Sequence, residues 1–247
     1  YTCLVNIGGV LVSIDKYISK ELCEKYEFYN YNHALEILTQ AFAEDWNELL
    51  ECLGSFTITT DDIRQAGGNE TNIPKKIDEY LRPLQWEEIK ISGDLHVKIF
   101  PRRGKKGTFA KTASETRVIE GYIDGHNIDY VKGKVAFDLE WNSKDQTYDR
   151  DLLAMRTYYD CGIISVGIIL TRAEDLDEVF KTVYSYDKKV DEWKPCITKY
   201  GASTTWMGKL IPRLDSKRNG GCPILAIGIK SKCVSDWEEG YVDEHKP

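Results

Sequence analysis

The sequence predicts an α/β fold: a central mixed β-sheet flanked by helices, behind an N-terminal helical segment spanning about residues 1–88. Three observations predict it. Apolar residues recur at helical spacing near the N-terminus, and short strand-like runs dominate from residue 89 onward. A helical stretch then separates two largely apolar runs, Ile163–Leu170 and Ile224–Ile229. Such runs of strand length are buried on both faces, as in parallel sheets.

Taken in order, Asn32–Leu53 reads as one amphipathic helix with Leu35, Leu38, Phe42, Trp46, Leu49 and Leu53 on its apolar face and Asn32 as N-cap. Gly67-Gly68 makes a turn. Pro74 can open a second helix carrying Ile77, Tyr80 and Leu81, and Pro83 ends it. Leu95–Phe100, Arg117–Ile123, Ile128–Val131 and Val135–Trp141 read as successive strands. Asp149–Tyr159 and Glu174–Tyr184 read as helices. Ser203 or Thr204 can cap a helix containing Trp206, Leu210 and Ile211. The core occupies about residues 89–230, and the whole chain, 1–247, reads as a single domain.

Composition narrows the function classes. The chain has 247 residues, 42% hydrophobic and 30% charged, an ordinary globular composition. No apolar run approaches the roughly 20 residues that span a bilayer, and the first residues lack a signal-peptide pattern. The expectation is a cytoplasmic protein without a membrane partner. Seven scattered cysteines without a CxxC pair predict reduced thiols and argue against zinc. No phosphate loop or dinucleotide fingerprint is present, so no nucleotide cofactor is expected.

The net charge of −7 counts against nucleic-acid binding, yet the distribution is uneven. Lys98, Arg102, Arg103, Lys105, Lys106, Lys111 and Arg117 cluster against one acid, Glu115; Lys209, Arg213, Lys217 and Arg218 form a second run. The glycine-bearing basic loop can wrap a nucleic-acid backbone, and it can equally be a solvated loop. Ser203, Thr204 and Thr205 ahead of Lys209 and Arg213 suit a phosphate at a helix N-terminus, or a plain N-cap.

The segment with chemistry is 127–141. Gly133-Lys134 can form a two-residue hairpin turn, glycine tolerating positive φ at its first position. That register sets Asp129 opposite Asp138, with Cβ atoms roughly 5 Å apart. Strand alternation places Glu140 on the same face as Asp138, and Val135, Phe137, Leu139 and Trp141 on the other. Carboxylates so close repel by ~1 kcal/mol per pair in a water-like dielectric and more when buried. Protons, basic partners or a divalent cation relieve that strain. A solvated acidic strip is the plainer reading of an Asp-x-Glu triplet; the opposed Asp129 and the apolar setting weigh against it.

Asp129 followed by Asp138-Leu-Glu140 resembles the PD-(D/E)xK nuclease motif, with Glu140 at the usual lysine position. Glutamate or glutamine there is a feature of the BamHI, BglII and BstYI group of Type II restriction endonucleases, and the likeness is greatest to the BglII group. It takes in Tyr31–Leu38 with the Trp46 helix, the Ile77–Trp86 segment, Ile128–Asp129 through Asn142, the Ile164–Thr171 strand and Gly221–Ile229. The sequence departs from the group in reading Asp-Leu-Glu where BglII-type enzymes have Glu-Val-Gln. The resemblance implies a restriction-endonuclease-like core and a homodimer that hydrolyses double-stranded DNA at a short palindromic site, leaving 5′-phosphates. It implies Mg²⁺, replaceable by Mn²⁺, held by Asp129, Asp138 and the Leu139 backbone carbonyl, with Glu140 orienting or deprotonating the attacking water or itself binding metal. A repair or structure-specific nuclease of the same fold, a non-catalytic DNA-binding protein, and a two-carboxylate sugar hydrolase are the competing readings.

Overall fold

The structure is a computed structural model that describes residues 4–7, 10–14, 16–65, 71–102, 107–201 and 203–247. In chain order the elements are β1 (Leu4–Ile7), β2 (Val10–Ser13), α1 (Lys20–Lys25), β3 (Tyr26–Tyr31), α2 (Ala34–Ala41), α3 (Ala43–Ser55), α4 (Thr60–Arg64), α5 (Asn72–Leu81), β4 (Glu87–Ile99), β5 (Glu115–Lys132), β6 (Val135–Leu139), α6 (Thr147–Asp160), β7 (Val166–Arg172), α7 (Leu176–Thr182), β8 (Tyr184–Asp187), β9 (Glu192–Pro195), α8 (Met207–Asp215) and β10 (Ile224–Ile229). The main sheet runs β2-β1-β3-β10-β7-β6-β5-β4, and β8 and β9 form a separate hairpin. The three central strands β10, β7 and β6 are mutually parallel, while β3 and β5 join them antiparallel. The predicted mixed α/β sheet is therefore present.

The sheet carries apolar side chains on both faces, and helices cover both. One face packs Leu35 and Leu38 of α2, Trp46 and Leu49 of α3, Ile73, Ile77 and Leu81 of α5, and Phe180 of α7 against Val135, Phe137 and Leu139. The other packs Tyr148, Leu152 and Met155 of α6 and Leu210 and Leu214 of α8 against Ala136, Ile169 and Ala226. Burial of these side chains contributes roughly 1.5–3 kcal/mol each. Gly167 on β7 lets α6 settle close to the sheet: a Cβ there would stand 2.6 Å from Met155 Sδ and 2.7 Å from Ile224 Cδ1. That close approach decides how near the α6 side chains come to the end of β6.

Several expectations change. The Asn32–Leu53 helix is two helices, α2 and α3, because Phe42 leaves helical geometry at φ −134° and ψ 43°. His33, not Asn32, stands at the N-cap of α2, and the Leu35 N–H is met by Asn30 Oδ1 at 3.0 Å. The N-terminal part is helical, but it also supplies β1, β2 and β3 to the main sheet. The expected Arg117–Ile123 and Ile128–Val131 strands are one continuous strand, β5, and with the extended Leu95–Phe100 strand they make one long hairpin, β4 paired with β5 from Glu87 opposite Val131 to Ile99 opposite Glu115. No position of β4 is fully buried. Residues 91–99 extend roughly 27 Å at about 3.4 Å per residue. The Gly67-Gly68 turn lies outside the described residues. Cys52, Cys161, Cys196, Cys222 and Cys233 are free thiols, as expected, but Cys23 is disulfide-bonded, a tertiary pairing that sequence spacing does not reveal.

Candidate active site

The β5–β6 hairpin is built as its sequence specifies. Gly133 takes φ 54° at the turn. Pairing runs from Lys132 opposite Val135 to Tyr130 opposite Phe137, so Asp129 falls opposite Asp138. At that level the ladder gives way to a side-chain contact: the Asp129 N–H donates to Asp138 Oδ1 at 2.8 Å. Arg82 fixes the same residue from behind, its Nη1 donating to the Asp129 carbonyl at 2.9 Å while its guanidinium lies over the Tyr130 ring.

Asp138 and Glu140 sit at the C-terminal end of β6, where parallel strands open onto ligand crevices. Both are nearly enclosed, 5% and 8% exposed. The Glu140 N–H donates to the Leu170 carbonyl at 2.9 Å, and its carbonyl accepts the Thr171 hydroxyl at 2.7 Å. The Leu139 carbonyl shares a trans peptide group with that N–H, so it points the opposite way, toward β5. Asp129 is exposed at the rim.

Sequence reasoning missed two residues that complete this strip, Arg150 and Asp151, both on α6. Asp151 is 5% exposed. Arg150 grips its Oδ1 with Nε at 3.0 Å and Nη2 at 2.9 Å, and Nη2 lies 3.9 Å from Glu140 Oε1. A signal existed: Tyr148, Leu152 and Met155 repeat at helical spacing, and Asp151 falls on that buried stripe. A charged residue there is rarely tolerated without a partner.

Burial and mutual repulsion govern the charges. Burial, then Asp129 and Asp151, push Asp138 well above the usual carboxylate range. Burial, then Asp151, raise Glu140 to about 8. Burial, then Glu88 and Asp151, raise Asp129. Burial also raises Asp151 against the opposing pull of Arg150. Burial, the largest cause of each shift, and mutual repulsion thus disfavour the fully ionised site. Glu140 Oε2 and Asp151 Oδ2 are buried without a hydrogen-bond partner. Among the described residues no group of three or more acidic, histidine or cysteine side chains is placed to hold a metal ion by itself. A hard cation such as Mg²⁺ does not require one, since it keeps several waters and takes one or two carboxylates. The all-oxygen donor set fits such an ion.

The expected DNA-contacting residues fall in two regions. Arg102, paired across to Phe109, lies at the tip of the β4–β5 hairpin with exposed Lys111. Arg103, Lys105 and Lys106 lie outside the described residues. Arg213 is half-buried and bridges Asp149 at 3.2 Å and Asp145 at 3.6 Å, tying α8 to α6. Lys209 lies one turn earlier on α8.

The expected Ser203 or Thr204 cap is not formed. α8 begins at Met207 after Trp206, which provides no side-chain cap, so Ser203, Thr204 and Thr205 precede the helix rather than open it. A buried arginine claims Thr204 and Thr205 instead. Arg172 donates from Nε and Nη2 to the Thr205 carbonyl at 3.0 and 2.7 Å, and from Nη2 to Thr204 Oγ1 at 2.6 Å. Its long side chain reaches from the end of β7, a contact no local sequence pattern announces.

Among the described residues no helix is long and apolar enough to cross a membrane. No curated protein matches the chain. The sequence model described as restriction endonuclease BglII/BglIII matches residues 26–229, a span that runs from β3 through β10 and takes in the whole carboxylate strip. The chain thus belongs to the BglII/BglIII family of restriction endonucleases, nucleases that act on DNA and that as a class use divalent metal ions.

Proposed function

We propose that the chain is a Type II, Mg²⁺-dependent endonuclease, with Mn²⁺ as a substitute, that hydrolyses double-stranded DNA at a short palindromic site and leaves 5′-phosphates. It acts as one domain, as a homodimer and in the cytoplasm. The reading rests above all on Glu140: a buried carboxylate with an unpartnered oxygen, raised to about 8, beside buried Asp138.

Asp129, Asp138, the Leu139 carbonyl and Glu140 would hold the cation. When bound, it neutralises charge developing on the phosphoryl group and sharpens a water for attack. Asp138 keeps one oxygen on the Asp129 N–H, which leaves the other for the ion. Glu140, once ionised, accepts or orients the proton of the attacking water. Arg150, with 70% of its side chain exposed beside Glu140, can meet the substrate phosphate. The β4–β5 hairpin would carry Arg102 and Lys111 to the DNA backbone, with Arg103, Lys105 and Lys106 as further phosphate contacts, and Lys209 and Arg213 would lie along α8. Ser203, Thr204 and Thr205 would serve by shaping the approach to α8, since Arg172 holds two of them.

Digestion of a duplex of known sequence with Mg²⁺, followed by end mapping, tests the proposal. Discrete fragments with ends at one repeated palindrome are expected. Random nicking, or cutting only at branched structures, would favour a repair nuclease; cleavage unaffected by EDTA would remove the metal from the account.

A further inference from the structure

We propose that Asp151 is a further ligand of the cation site, sharing with Glu140 a position on the α6 side of the carboxylate strip. This inference rests on the reading of the site given above. The observation is the meeting of two buried carboxylates. Asp151 comes from a helix and Glu140 from the end of a strand, yet their side chains lie within hydrogen-bonding reach of one another. Neither carboxylate can donate when ionised. With both groups ionised, Glu140 Oε2 and Asp151 Oδ2 are enclosed and without a donor, while Ser143 meets the Glu140 carboxyl and a proton retained on Glu140 can bridge it to Asp151. Arg150 occupies only Oδ1 of Asp151, and most of its side chain faces solvent. Arg150 and Ser143 therefore leave one inward oxygen on each ionised carboxylate unmet.

A purely structural aspartate would not be arranged this way. The Arg150 contact alone could form at the surface, where it would cost little desolvation. Asp151 is instead turned onto the apolar stripe of α6, toward Glu140, with its charge also felt at Asp129 and Asp138. The approach of α6 that creates the contact depends on Gly167, which clears Met155 from β7. Two oxygens from two elements, both buried and both without a donor, are what a hard divalent ion with partial hydration would bridge.

The test is Mn²⁺ binding to the full chain without DNA, by titration calorimetry, beside melting in EDTA. Asp151→Asn should weaken Mn²⁺ binding tenfold or more, within the range of roughly 10–100-fold seen for residues supporting a metal site. Its melting temperature in EDTA should hold or rise, because a repelling charge is gone. Asp151→Glu should bind within a few-fold of the parent and serves if the asparagine variant does not fold. Asp149→Asn removes the same charge two residues away, where Arg213 and Arg218 hold it, and should leave Mn²⁺ affinity within about twofold. Unchanged Mn²⁺ affinity in Asp151→Asn, or a lowered EDTA melting temperature as its sole effect, would overturn the assignment of Asp151 alone. A parent chain that takes up no Mn²⁺ would overturn the metal-site reading as well.

Discussion

Asp138 accepts the backbone N–H of Asp129 at 2.8 Å, so a carboxylate of the proposed catalytic strip also closes the hairpin that presents its neighbour. The two roles separate in Asp138→Asn. Its amide oxygen can still accept that N–H, while the charge is lost. Cleavage should fall at least about 100-fold, and the melting temperature in EDTA should hold or rise. Parallel assays of turnover and thermal unfolding check both; a folded variant with parental turnover refutes the role given to Asp138.

Glu140→Ala should abolish cleavage yet retain DNA binding, because it removes a charge from the chemistry and none from the basic surface. Gel-shift titration beside Mg²⁺-dependent digestion measures the two separately. Parental cleavage rates would show that Glu140 takes no part in the reaction.

The raised carboxyl groups set a pH dependence with a definite sign. Glu140 is lifted from 4.5 to about 8, and Asp138 is raised as well. Between the unfolded and folded values the native state holds protons that the unfolded state has released, so stability falls as pH rises. In EDTA, melting temperature should decline from about pH 4.5 to about pH 8, then level off. Saturating Mn²⁺ should flatten the slope, since the ion replaces the protons. A melting temperature that rises across this window would contradict the shifts.

Arg102 and Lys111 should matter to DNA affinity and not to the chemical step. Replacing both by alanine should weaken binding across all sequences. The slope of log K against log salt should flatten by about one for each phosphate left without its cation. Single-turnover rates at saturating enzyme should stay near the parental value. An unchanged salt slope would leave the hairpin tip a solvated loop.

Arg172→Met should destabilise the fold by roughly 2–4 kcal/mol, because charged hydrogen bonds to Thr204 and Thr205 vanish and their acceptors stay buried. Denaturant unfolding measures this directly, and a loss well below 1 kcal/mol would mean that the 203–205 segment is held by other contacts.

The features legible in the sequence are local and periodic. The hairpin at Gly133, the opposition of Asp129 and Asp138, the two-sided alternation of β6 and the buried strands β7 and β10 all follow from period-two patterning and turn chemistry, which act over a few residues. Packing between distant elements settled the rest. It broke the Asn32–Leu53 helix at Phe42, sent β1–β3 into the sheet and bound the 203–205 segment to Arg172. It also brought Asp151 of α6 against Glu140. These depend on how closely whole elements approach, as at Gly167, and on long side chains finding partners more than 30 positions away, information no local pattern contains.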